Sequence, residues 1–246
     1  MSGFTRAGEA KAVPAALAAR ALRSPLKITL MTGASLGNDL DKKLTEAGVL
    51  ARRMPFQVDN TLRKAINNGQ VMFIDQHLSE TVEQLRNHQL RLPDLAVIEA
   101  VAITEQGHIV PTTSVGNSAS FAIFAKQIIV EINTSHNANL EGLHDIYIPS
   151  YRPSRTPLPL VKVNDRIGST AIPIPPEKIA AIVITNAAGD TRVTPTRARF
   201  DVRRQVAEGR QVYWVCPLIE ESEALDLSNA TATHADLSEA LPGAMV

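Results

Sequence analysis

Cysteine is nearly absent from this 246-residue chain, where Cys216 stands alone. An intramolecular disulfide framework and a multi-cysteine zinc site are therefore excluded, which suits a reducing compartment, with the cytoplasm as the default. No apolar run approaches the roughly 18 to 20 residues that span a bilayer, and residues 1–11 lack the apolar core of a secretory signal. The chain thus reads as neither a membrane protein nor a secreted one. An excess of one charge is missing too, with 25 basic against 25 acidic side chains. That leaves no global field to hold nucleic acid or an anionic membrane, although local patches remain. The chain has no nucleotide-binding glycine loop carrying a lysine, no glycine-flanked nucleophilic serine and no His-Glu-x-x-His pair. A P-loop NTPase, a serine hydrolase and a zinc peptidase are accordingly unsupported. The histidines His77, His88, His108, His136, His144 and His234 show no metal-ligand spacing, so no metal site is expected.

What is present alternates between two periods. Residues 26–32 are rich in β-formers, run into Gly33-Ala-Ser-Leu-Gly37 and continue as a polar helical stretch over 39–47. That order predicts strand, glycine loop, helix. A helix is expected over 60–68, a short buried strand over 71–75, and a helix over 79–90 with Val82, Leu85 and Leu90 on one side and Ser79 with Glu80 and Glu83 at its start. The longest strand candidate covers 95–104, and Glu105-Gln-Gly-His108 turns it back into Ile109-Val110 as a hairpin. A helix opens at Gly116-Asn-Ser118, followed by strands over 127–133 and 182–185. Strands alternating with helices predict an α/β fold around an open, mostly parallel sheet. Between Tyr147 and Pro176 seven prolines rule out a continuous helix or central strand and predict an extended excursion. After Thr191 the texture changes again: Arg197, Arg199, Arg203, Arg204 and Arg210 crowd together ahead of a strand over 211–216 and the acidic segment 220–223.

Several residues can carry chemistry. The glycines and hydroxyl of Gly33, Ser35 and Gly37, ahead of a helix, let backbone N–H groups approach a phosphate or carboxylate; they are equally what a tight strand-to-helix turn needs. The same pair of readings holds for Gly116, Asn117 and Ser118, where Ser118 can cap the helix. Glu99 interrupts an apolar strand, either as a carboxyl with a raised pKa that serves as base or nucleophile, or as a paired structural group. Cys216, between Val215 and Pro217, reads as a buried inert thiol. The arginine run can touch phosphates or simply form a solvated face.

Residues 2–185 resemble the N-terminal half of the acetyl-CoA hydrolase/transferase family. The stretches that carry the likeness are Ser2-Gly-Phe-Thr5, Leu30-Met-Thr-Gly-Ala-Ser-Leu-Gly-Asn-Asp-Leu-Asp41, Phe73-Ile-Asp-Gln-His-Leu-Ser79, Ile103-Thr-Glu-Gln-Gly-His-Ile-Val-Pro111, Val130-Glu-Ile-Asn133 and Gly142-Leu-His-Asp-Ile-Tyr147. The resemblance implies a CoA-transferase type of fold over 1–190, incomplete at both ends because a leading helix and strand normally precede Ser2. It implies short acyl-CoA thioesters (acetyl-, succinyl- or propionyl-CoA) and carboxylates as small-molecule substrates, coenzyme A entering as substrate with no separate cofactor, and a homodimer as the candidate assembly. Enzymes of the family attack the thioester with a glutamate, pass through an anhydride and a glutamyl-CoA thioester, and stabilise the oxyanion with backbone amides. That glutamate belongs to the family's second half, so no residue here receives the catalytic role. The substrate-binding residues implied are Gly33, Ser35, Gly37, Gly116 and Asn117. The last fifty or so residues, from Gly209-Arg-Gln-Val-Tyr-Trp-Val-Cys216 onward, resemble a fragment of a RecG-type ATP-dependent DNA helicase. Residues 191–246 are therefore expected as a short strand-helix appendage, joined around 191–199. The alternative function is a nucleic-acid-associated module, but the helicase's nucleotide loop and acidic ATPase motif are missing, and net neutrality argues against a nucleic-acid partner.

Overall fold

A computed structural model describes residues 1–4, 7–37, 40–150, 154–158, 162 and 164–188. These belong to the unit Met1–Asp190. The expected appendage, its strand over 211–216 and the arginine run lie outside the described residues. In chain order the elements are α1 (Ala12–Ala21), β1 (Ile28–Met31), α2 (Leu40–Glu46), β2 (Leu50–Met54), α3 (Asn60–Asn67), β3 (Met72–Phe73), α4 (Leu78–Arg86), β4 (Leu95–Ile103), β5 (Ile109–Pro111), α5 (Ser118–Phe124), β6 (Gln127–Asn133) and β7 (Ile179–Thr185). Among the described residues no helix is long and apolar enough to cross a membrane.

The α/β expectation holds, with the strands divided between two sheets. The first has the order β1-β2-β3 and the second β5-β4-β6-β7. All pairings are parallel except β4 with β5, the expected hairpin. Its turn is closed by Thr104 N–H donating to His108 O and Gly107 N–H to Thr104 O, both at 2.9 Å. Each sheet has its own core. Leu30, Leu40, Leu44, Leu50 and Leu62 fill the first. Ile98, Phe121, Ala122, Ile128, Val130, Ile146 and Ile172 fill the second. In the second sheet Ile98 stands beside Val130 and Ala100 beside Ile132. Val130 in turn stands beside Ile182, and Ile132 beside Ile184.

Two elements were not legible in the sequence. Helix α1 is built from alanine, the strongest helix former, and carries Pro14 only in its first turn, where a missing N–H costs nothing. Its N-terminus is capped from another element: the Glu131 carboxylate on β6 accepts from the N–H groups of Lys11 (2.7 Å), Ala12 (2.9 Å) and Val13 (3.0 Å). Strand β2, Leu-Ala-Arg-Arg-Met, is disguised by two arginines. Other boundaries move. Helix α4 is entered from His77, ahead of the expected start at Ser79, and ends at Arg86, because His88 takes a left-handed conformation (φ 54°). Leu90 reaches the second core from beyond that turn. The expected buried strand over 71–75 shrinks to two residues, with Met72 half exposed at the sheet's edge. The described residues of the proline-rich stretch are irregular as expected, joined to the second sheet by bridges between Ile146 and Ser169 and between Ile109 and Ile172.

Candidate functional site

Because β1, β2 and β3 run parallel, the segments that leave their C-terminal ends emerge on one edge. That edge is where open α/β sheets bind ligands. A cleft of about 520 Å³ opens there, lined by Ala34 after β1, Phe56 after β2, and Asp75, Gln76, His77, Leu78 and Glu80 after β3. The loop after β1 is held from beneath by a buried ion pair. Arg53 Nε donates to Asp41 Oδ1 at 2.8 Å and Arg53 Nη2 to Oδ2 at 3.1 Å, with both side chains almost fully enclosed. The same guanidinium donates to Met54 O (2.6 Å) and to Ala34 O (3.2 Å), so it fixes the peptide that lines the cleft.

The two glycine loops come from different sheets and meet at one carbonyl. A Cβ on Gly33 would lie 2.3 Å from Gly3 O, closer than any side chain tolerates, and one on Gly116 would lie 3.5 Å from the same oxygen. Gly116 also sits at φ +47°, which favours glycine. Asn117 Nδ2 donates to Leu78 O at 3.4 Å, bringing this loop to the cleft's rim. Gly37 N–H donates to the buried Glu9 carboxylate, and Ser35 is buried. Of the five expected binding residues, Gly33, Gly116 and Asn117 therefore converge, while Ser35 and Gly37 stand behind the loop and only its Ala34 reaches the lining. The expected cap at Ser118 is absent: its Oγ is buried and finds no partner among the described residues.

Glu99 takes the structural one of its two readings. Its side chain is fully enclosed; it is paired with Lys11 Nζ, and accepts from Thr112 Oγ1 (2.7 Å) and Asn133 Nδ2 (2.8 Å). His136 Nε2 lies 3.7 Å from its second oxygen. Burial holds the His136 imidazole below the usual histidine range; the Glu99 charge opposes that shift and the Lys11 charge adds to it. Among the described residues no group of three or more His, Cys, Asp or Glu side chains is placed to hold a metal ion.

Known proteins place this architecture. Residues 1–184 match the family model described as the acetyl-CoA hydrolase/transferase N-terminal domain. The chain belongs to the acetyl-CoA hydrolase/transferase family. It is 44% identical over 194 residues to the succinyl-CoA:acetate CoA-transferase of Clostridium kluyveri, covering 78% of this chain and 36% of that one. It is 39% identical to the propanoyl-CoA:succinate CoA transferase of Escherichia coli, with 75% and 39% covered. To the acetyl-CoA hydrolase of Schizosaccharomyces pombe it is 42% identical, with 74% and 37% covered. The chain thus spans less than two-fifths of the length of these three relatives. Within the family's domain, the stretch Phe73 to Ser79 that carried the resemblance supplies most of the cleft lining, although none of Phe56, Asp75, Gln76, His77, Leu78 and Glu80 was expected as a site residue. The expected helicase likeness lies outside the family match at 1–184.

Proposed function

We propose that this chain provides one wall of the substrate site of a CoA-transferase or acyl-CoA hydrolase acting on short acyl-CoA thioesters and carboxylates, with the nucleophile supplied by residues outside the matched domain. The observation that carries the reading is the cleft itself, formed where three parallel strands end and lined by the family stretch Phe73 to Ser79. Phe56 and Leu78 give it apolar surface, and Gln76, His77 and the carboxylates of Asp75 and Glu80 give it polar groups that accept or donate hydrogen bonds. Of the glycine-loop residues, Gly33, Gly116 and Asn117, which converge beside the cleft, are proposed to face the substrate through their backbone, while Ser35 and Gly37 support the loop from behind. Among the described residues the lining holds no lysine or arginine, so the uncharged arm and acyl end of the thioester suit this wall better than its phosphates do.

The test compares the chain alone with the chain co-expressed with the portion of the C. kluyveri transferase that follows the matched region. Acetyl-CoA and succinyl-CoA are supplied, and thiol release and CoA exchange into acetate are followed. The expected result is silence from the chain alone, turnover from the pair, and reduced turnover when His77→Ala or Phe56→Asp alters the cleft. Turnover by the chain alone would place a nucleophile within it. A pair that associates but does not turn over either thioester would overturn the thioester reading.

A further inference from the structure

One side chain of the cleft lining, Gln76, is held from behind. Its Nε2 donates to Thr81 Oγ1 at 2.5 Å, and Thr81 is fully enclosed on α4. Its backbone N–H donates to Pro55 O (3.4 Å), next to the Phe56 that lines the cleft after β2. Gln76 is thus tied by main chain and side chain to the two segments that frame the cleft, which fixes the plane of its amide. An enclosed hydroxyl is costly unless bonded, and the group that Thr81 bonds is the cleft's own amide. A glutamine amide carries two N–H donors and a carbonyl oxygen, and a single donor is spent on Thr81. Gln76 Oε1 makes no hydrogen bond among the described residues, and unlike the Oε1 of Gln57 it is not enclosed. One N–H and one carbonyl oxygen therefore remain for a ligand.

The rest of the lining narrows what that ligand group can be. Asp75 and Glu80 bring carboxylates, and no lysine or arginine offsets them in the described lining, so an anionic group is disfavoured. Phe56 and Leu78 supply apolar surface for methylenes. A secondary amide on a hydrocarbon chain meets all of these conditions. Its N–H finds acceptors in Gln76 Oε1 and the two carboxylates, and its carbonyl finds the open N–H of Gln76. The arm that joins the sulfur of coenzyme A to its phosphates is built on such amides. We propose that Gln76 reads an amide of the thioester's arm, with Thr81 as the residue that positions it. The inference rests on the thioester reading above and adds which part of the substrate this wall recognises.

The experiment titrates the full 246-residue chain with two soluble probes and follows its backbone amides by NMR. One probe is S-acetyl pantetheine; the other is an S-acetyl thiol of equal length with ether oxygens in place of the amides. Neither carries a phosphate. The pantetheine probe is expected to shift the amides of residues 74–80 and to bind about fivefold or more tighter than the ether. Thr81→Val and Gln76→Ala are each expected to remove that preference, the double variant to lose no more than either alone, and Thr81→Ser to retain it. If Thr81→Val impairs folding, Gln76→Ala, at a half-buried side chain, decides the matter by itself. The Gln76–Thr81 bond also spans the first turn of α4; if it serves the helix alone, the variants lower the urea midpoint and leave the preference intact, which would overturn the proposal. So would equal binding of the two probes, or shifts that avoid residues 74–80. Binding of neither probe would overturn the thioester reading and this inference with it. A preference that depends on Gln76, joined to silence from the co-expressed pair, counts against the proposed chemistry alone and leaves recognition of the arm standing.

Discussion

Arg53 is the side chain whose removal the structure prices most clearly. Its guanidinium is 0% exposed and makes two bonds to Asp41 and one each to Met54 O and Ala34 O. Arg53→Met keeps the apolar stem but leaves a carboxylate, itself 2% exposed, without its counter-charge. Stripping one partner from a buried pair costs about 3–5 kcal/mol. Two carbonyls lose a donor as well, each adding roughly 0.5–1 kcal/mol. A loss of about 4–7 kcal/mol is a large share of the roughly 5–15 kcal/mol that holds a domain folded. It lowers the melting temperature of a chain this size by roughly 8–28 °C. Asp41→Leu should cost slightly less, since the stranded guanidinium keeps its two carbonyl acceptors. Replacing both charges together, Asp41→Leu with Arg53→Met, removes the stranded group and should recover most of the loss. Urea denaturation of the four chains measures the coupling. Hydrogen exchange adds a readout at the site, because Arg53 anchors Ala34 and Asp41 accepts from Leu36 N–H; the amides of residues 33–37 should exchange faster in Arg53→Met. Costs that simply add in the double variant would refute the reasoning, since the two side chains would then not be acting as a pair.

Two further outcomes follow from Glu131 and from the partly buried His136. Glu131→Ala strips the acceptor from three N–H groups at the start of α1 and should cost about 2–4 kcal/mol, with faster exchange at the Ala12 and Val13 amides; unchanged exchange there would show that the helix does not depend on this cap. For His136 the folded state holds fewer protons than the unfolded state between its depressed pKa and the ordinary value near 6.5, so stability rises with pH through that window and falls on acidification below about 6.5. Comparing wild type with His136→Asn by urea midpoint at pH 7.5 and pH 5.5 should show a smaller acid loss in the variant; equal losses would remove His136 as the source.

The parts of the fold that were legible are those whose cause is local. The hairpin at Thr104 to His108, helices α2, α3 and α5 and strands β1, β4 and β6 follow from short-range periodicity and turn residues. What escaped depends on partners far along the chain. Helix α1 has neither an apolar stripe nor a local cap; its cap is a glutamate 118 or more positions away. Strand β2 hides behind Arg52 and Arg53, and nothing near Arg53 in sequence announces that Asp41 will neutralise it. The glycine loops were legible as glycine positions, but their meeting was not, because Gly3, far from both in sequence, supplies the carbonyl beside Gly33 and Gly116. Cleft residues Asp75 to Leu78 were visible only as part of a family stretch. Among them no spacing marks a site by itself.

Residues 2–13 explain why that meeting is possible at all. Three glutamates, Glu9, Glu99 and Glu131, are buried, and such charges persist in a core only where fixed donors or counter-charges replace water. Each is satisfied by this segment or by what the segment touches. Glu131 takes the helix N-terminus and its dipole, Glu99 takes Lys11 Nζ, and Glu9 reaches across to Gly37 N–H. Glu99 N–H also donates to Ser2 Oγ, and Ser2 Oγ in turn donates to Gly8 O. Glu99 and Glu131 lie on the second sheet and Gly37 follows the first, so the segment is pinned to both. Gly3 O sits between Gly33 and Gly116, and its neighbour Ser2 is held to β4 by Ser2 N–H donating to Val97 O and by Glu99 N–H donating to Ser2 Oγ. The buried carboxylates thus tie the segment to both sheets, on either side of two loops that no hydrogen-bonded strand pairing joins.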